Sequence, residues 1–130
     1  MNQHIGSFTL VVRDYDEAIA WYTHVLGFTL IEDAPRENNK RWVRVAPTGS
    51  SGTAIVLAQA SGETQHERVG DQTGGRVGFF LHTDDFRRDF DAMQARGVRF
   101  MEAPRQESYG TVAVFQDLYG NRWDLLEPRA

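Results

Sequence analysis

LYGNRWDLLEP, residues 118–128, repeats in fuller form a phrase met earlier in the chain, SSGTAIVLAQA, residues 50–60. Superposed, Gly120 falls on Gly52, Leu125 on Leu57 and Asp124 on Val56. Each copy runs from small, turn-forming residues into a short apolar stretch suited to a strand. One copy thus carries a carboxylate where the other carries an isopropyl group. If the whole chain is a duplication, that difference marks a position whose chemistry has diverged.

The repeat extends outward from this phrase in both directions. The first half opens IGSFTLVVRDYDEAIAWYTHVLGFTLIEDAP, and the second RVGFFLHTDDFRRDFDAMQARGVRFMEAP. Phe8–Val12 and Phe79–Thr83 are β-branched and aromatic runs that predict buried strands. Asp14 and Asp85 follow at helix-start positions, where a carboxylate accepts from orphan backbone N–H groups, and Glu17 completes a capping-box-like pair with Asp14. Ala18, Tyr22, Val25 and Leu26 recur at helical spacing, as do Phe86, Phe90 and Met93. Gly27 and Gly97 sit where a helix ends in a left-handed residue. Further strands are predicted at Phe28–Ile31, Trp42–Ala46 and Thr53–Gln59, then at Val98–Met101, Thr111–Phe115 and Arg122–Glu127. Each half therefore reads β-α-β-β-β. Between them ASGETQHERVGDQTGG is polar and Gly-rich, which predicts a flexible connection over about residues 61–75. The organisation expected is a single domain, with modules over about 1–60 and 76–130.

Composition narrows the class of protein. At 130 residues with 41% hydrophobic and 25% charged residues, the chain suits one compact soluble unit. The absence of Cys excludes disulfides, thiolate metal sites and a thiol nucleophile, and fits a cytoplasmic protein. A formal net charge of −4 with no basic stripe argues against nucleic acid as a partner. No apolar run is long enough to span a bilayer, and the start MNQHIGS does not read as a signal sequence.

One β-α-β-β-β unit covers only one face of its sheet. Two copies can curl into an open, trough-like barrel with a shared concave face, which gives an α+β fold. Strand alternation sorts the side chains. Phe8, Leu10 and Val12 are expected under the first helix, leaving Ser7, Thr9 and Val11 on the opposite face. By the same parity Gly78, Phe80 and His82, then Ala54, Val56 and Ala58, then Arg122, Asp124 and Leu126, look toward the trough. Trp123 and Leu125 pack under the second helix. Phe80 and Phe100 read as pocket wall or core, with core the simpler assignment. DLYGNRW is a tight turn between strands, not a phosphate loop, because a strand and not a helix follows it.

With the repeat laid out, LVVRDYDEAIAWYTHVLGFTL, the Ala-Pro endings at 34–35 and 103–104, and FQDLYGNRWDLLEP together resemble the vicinal oxygen chelate superfamily. This is the group of glyoxalase I, bleomycin-resistance proteins and extradiol dioxygenases. The resemblance implies the glyoxalase/bleomycin-resistance fold, a small-molecule ligand in the trough and a homodimer. Metal-using members take ligands from the first and last strands of each repeat, and those places here are Ser7, Val56, Gly78 and Asp124. Only Asp124 is a strong donor for a divalent cation, and a catalytic Zn²⁺ site usually needs three protein ligands. The expectation is therefore a binding protein without cofactor, with a metal-dependent lyase, isomerase or dioxygenase as the alternative.

The remaining candidates follow from the same faces. Of the four histidines, His82 has inward parity but lies about 13 Å along the strand from Gly78. His24 is near a helix end, His66 lies beside Glu63 and Glu67 in the connector, and His4 precedes the first strand. Asp124 could orient a ligand's amine or hydroxyl, pair with Arg122 or Arg44, or act as a metal-free base. Arg44 and Trp42 share a strand face and could meet an anionic or aromatic group. Tyr109 stands before Gly110 at the mouth of a strand. Ser7 has no basic partner that would make it a nucleophile. The expected ligand-binding set is Ser7, Thr9, Arg44, Val56, Gly78, His82, Tyr109 and Asp124.

Overall fold

The structure, a computed structural model, describes residues 2–130. The chain divides into two compact units, Met1–Val69 and Gly70–Ala130. In the first, β1 (Ser7–Val12) leads into α1 (Tyr15–Ala20), which runs on as a π-helical turn (Trp21–Val25). There follow β2 (Phe28–Pro35), a 3-10 turn (Glu37–Asn39), β3 (Arg41–Pro47), β4 (Ala54–Gln59) and α2 (Gly62–Arg68). The second unit contains β5 (Val77–His82), α3 (Phe86–Ala95), β6 (Arg99–Phe100), β7 (Arg105–Glu107), β8 (Gly110–Gln116) and β9 (Arg122–Pro128).

Each unit has its own sheet, ordered β1-β4-β3-β2 in one and β5-β9-β8-β6 in the other, with β7 also on β8. In both, the last strand returns to lie parallel to the first, β1 with β4 and β5 with β9. The duplicated β-α-β-β-β order is thus present, with one sheet to each unit.

The helix ends follow from local chemistry. Asp14 Oδ2 accepts from Glu17 N at 2.8 Å, and Asp85 Oδ1 accepts from Arg88 N at 3.1 Å. Both chains of helix stop at a left-handed glycine, Gly27 at φ 92° and Gly97 at φ 104°. Under α1 the first sheet buries Leu10, Val12, Val43, Val45 and Leu57 completely, together with Tyr22. Under α3 the second sheet stacks aromatics instead: Phe79 on Trp123 at 4.8 Å, Phe115 on Trp123 at 5.7 Å, and Phe90 against Phe100 at 4.4 Å. Each such side chain contributes about 1.5–3 kcal/mol by leaving water, which makes these rows the main stabilising element of each unit.

The structure differs from the sequence expectations in five places. Arg105–Glu107 forms a strand, β7, paired with β8. Its alternation is of charged and polar residues, so it carries no apolar signal. The strand before it, expected at Val98–Met101, is only Arg99–Phe100. The stretch read as a flexible connector contains the helix Gly62–Arg68, with Ser61 N donating to Gln65 Oε1 at 2.9 Å. That helix buries none of its residues, so it has no apolar stripe to read. Phe80, assigned to the core, is 60% exposed, and Phe8 is 40% exposed despite its core parity.

Candidate functional site

In the first unit, strand register lines up four residues across the sheet: Thr9 opposite Val56, Val56 opposite Arg44, and Arg44 opposite Glu32. They share the face turned away from Leu10, Leu57 and Val43. Arg44 organises the row. Its Nε donates to Ser7 Oγ at 3.3 Å and its Nη1 to Glu32 Oε1 at 2.5 Å. Trp42 Nε1 donates to the same Glu32 oxygen at 3.2 Å. The hydrogen bonds from Arg44 and then Trp42 hold the Glu32 carboxyl below its ordinary range. Ser7, Thr9, Arg44 and Val56 are therefore brought together on one face of this sheet.

In the second unit the corresponding row is Phe80 opposite Asp124 and Asp124 opposite Val114. The next row along is His82, Leu126, Val112 and Arg105. Asp124 Oδ1 is buried and has no hydrogen-bond partner among the described residues. Burial pushes its carboxyl up from the ordinary value; the nearby Arg105 charge opposes the shift and the Glu102 charge adds to it. Arg122, one of the partners considered for Asp124, instead donates from Nη1 to Gly75 O at 3.3 Å.

Beside Asp124 lies a charged cluster that sequence reasoning did not single out. Glu102 Oε2 accepts Val114 N at 2.9 Å, and Glu102 receives Arg105 Nε at 3.1 and 3.0 Å. Arg105 Nη1 donates to Glu107 Oε2 at 2.6 Å, and the Tyr109 side chain also hydrogen-bonds Arg105. These bonds raise the Arg105 guanidinium above its usual range, chiefly through Glu102. Tyr109 is 51% exposed. A signal was available: Glu32 and Glu102 stand five residues after Gly27 and Gly97 (32 − 27 = 102 − 97 = 5). Both occupy the same place in the repeat, and both pair with an arginine.

Gly78 behaves differently from the parity argument. Val77 pairs with Arg122 and Phe79 with Trp123, so Gly78 is the extra residue of a β-bulge. A Cβ at Gly78 would lie 2.5 Å from Thr73 Cγ2. No side chain, ligating or otherwise, fits there without displacing Thr73.

The positions at which the fold family places metal ligands do not fit a divalent cation. Ser7 Oγ faces a guanidinium, Val56 has no donor, Gly78 has no room for one, and Asp124 supplies a single carboxylate. Among the described residues no group of three or more His, Asp or Glu is placed to hold a metal ion. His82 is exposed and pairs along the strand with Leu126, one row beyond Asp124. His66 Nδ1 lies 2.8 Å from Gly62 O within α2. No helix among the described residues is long and apolar enough to cross a membrane.

The duplicated sheets are those of a known class. Residues 4–125 match the model of the Glyoxalase/Bleomycin resistance protein/Dioxygenase superfamily, and the chain belongs to that family. An uncharacterised protein of Shewanella frigidimarina is 55% identical over 98% of this chain and 95% of its own length. Among solved structures, UcmS2 superposes with a TM-score of 0.84 at 29% identity, covering 98% of this chain and 99% of its own. TnmS3, an antibiotic binding protein from Streptomyces sp. CB03234, gives a TM-score of 0.78 at 31% identity, with 98% of each chain covered.

Proposed function

We propose that this protein binds a small organic molecule without the help of a metal ion, its two units acting as one domain. The observation that carries the reading is Asp124: a carboxylate with one buried, unbonded oxygen, set in the same row as the exposed ring of Phe80. A folded protein leaves a buried acceptor unpaired at a cost of about 1–3 kcal/mol, which a ligand can relieve. Tyr109 adds a second exposed ring near the same cluster. The row of Ser7, Thr9, Arg44 and Val56 supplies a second polar surface with its own cation. Gly78, with Thr73 packed over it, would offer a ligand backbone and no side chain, and His82 stands at the margin of the Asp124 row.

The ligand class follows in part from likeness. An antibiotic binding protein at 31% identity over 98% of the chain supports an organic natural product over a simple metabolite. The exposed apolar pair Leu30 and Ile31 on edge strand β2 supports assembly as a homodimer. The test is a thermal-shift screen of the purified protein against aromatic natural-product antibiotics, followed by titration of hits. Binding to wild type that weakens about tenfold or more in Asp124→Ala is the expected result. A hit whose affinity is unchanged in that variant removes Asp124 from the site.

A second reading has one specific observation behind it. The raised Asp124 carboxyl is better matched to taking a proton near neutral pH than an ordinary aspartate. Metal-free proton abstraction by Asp124 predicts turnover of a bound ligand that disappears in Asp124→Asn while binding persists.

A further inference from the structure

The second unit carries more carboxylate than it can neutralise, and the surplus sits on Asp124. Glu102 is satisfied by Arg105 and by Val114 N. Glu107 is satisfied by Arg105 Nη1. Arg105 thereby commits its Nε and Nη1, and it donates a further bond to the Tyr109 side chain. Three carboxylates thus surround one guanidinium, and the guanidinium's hydrogens are directed at the two glutamates. Arg122, on the same strand as Asp124, is turned to Gly75 O.

The carboxylate itself is asymmetric. Oδ1 is buried with no hydrogen-bond partner, and Oδ2 is open and likewise unbonded among the described residues. A neutral donor reaching Oδ2 satisfies a lone pair and leaves the negative charge of the carboxylate unbalanced. A positive charge at Oδ2 acts on the whole delocalised carboxylate, and at longer range, screened by solvent, on the two neighbouring glutamates as well. An anion would meet repulsion from all three. The exposed ring of Phe80, directly across from Asp124, offers an apolar and cation-attracting neighbour to such a group.

We propose that the ligand is an organic cation: a protonated amine on an aromatic or apolar body, its ammonium hydrogen-bonded to Asp124 and its body against Phe80. This rests on the small-molecule-binding reading above and narrows its chemical class.

Three probes with one ring and three charges test it: 2-naphthylmethylamine, 2-naphthylmethanol and 2-naphthoate, titrated into the whole protein at low salt by calorimetry. The amine is expected to bind about tenfold tighter than the alcohol, with the carboxylate weakest. Added salt should shrink the amine's advantage and leave the alcohol unmoved. In Asp124→Asn the amine and alcohol should converge to within about twofold. Glu107→Gln, which removes a charge farther from Phe80, should weaken the amine by a smaller factor. Equal binding of all three probes, or tightest binding of the carboxylate, overturns the cation while leaving a binding pocket in place. Binding of none of them, with the antibiotic screen also silent, overturns pocket and cation together.

Discussion

At the scale of single residues, Asp124 and Gly78 are where this chain departs from what its repeat would predict. The Asp124 carboxyl is raised by burial above its ordinary value of 3.8. The folded protein then holds that proton more tightly than the unfolded chain does, so the contribution of Asp124 to stability falls as pH rises from about 3.8 and levels off above the folded value. The charged or titratable groups around it include Glu102, between β6 and β7, Arg105 and Glu107 on β7, and His82 on β5. Asp124→Asn should therefore be more stable than wild type at pH 7 by up to about 1 kcal/mol, and the gain should vanish below that window. Chemical denaturation at pH 7 and at pH 3.5 reads this directly, and a variant less stable than wild type at pH 7 would contradict it. Gly78→Ala forces a methyl group to within 2.5 Å of Thr73 Cγ2 and should cost about 1–3 kcal/mol. Adding Thr73→Ser deletes that Cγ2 but keeps the hydroxyl that donates to Arg76 O, so the double variant should recover most of the loss. An unrecovered double variant would place the strain in the bulge itself.

At the scale of elements, the short helices depend on their caps. Asp85 is the side-chain cap of α3, a ten-residue helix whose buried face is Phe86, Phe90 and Met93. Asp85→Ala should destabilise by about 1 kcal/mol, and Asp85→Asn by distinctly less, because Asn also accepts from Arg88 N. The aromatic row beneath α3 was legible from strand parity: Trp123 and Leu125 lie where alternation puts them. Elements without an apolar pattern were not. β7 is RQE, held to β8 by backbone pairing and to its neighbours by Arg105. α2 is GETQHER and exposes every residue, so hydrophobic periodicity had nothing to register.

At the scale of the whole molecule, duplication has produced two sheets alike in topology and different in chemistry. One polar row holds an Arg44–Glu32 pair beside Val56; the other holds Asp124 beside an Arg105–Glu102 pair. Neither row gathers the ligands a divalent ion requires. Incubation with Zn²⁺, Ni²⁺, Mn²⁺ or Fe²⁺ is accordingly expected to leave the melting temperature unchanged, and chelator treatment likewise. A stoichiometric metal whose removal lowers the melting temperature by several degrees would overturn the metal-independent reading.

The chain alone carried its class, its duplication, its helix caps and the inner faces of its strands. All of these arise from short-range rules: the period-two alternation of a strand, a carboxylate immediately before a helix, a glycine just past its C-cap. Asp124 was visible as the odd member of a repeat for the same reason. Its surroundings were not. That Arg105 is used up by two glutamates, that Arg122 turns to Gly75, and that Thr73 fills the space over Gly78 depend on contacts between residues distant along the chain or displaced by a bulge. Those contacts set the charge and room left around Asp124, and only tertiary structure decides them, because register and bulges move side chains between neighbours without altering any local pattern.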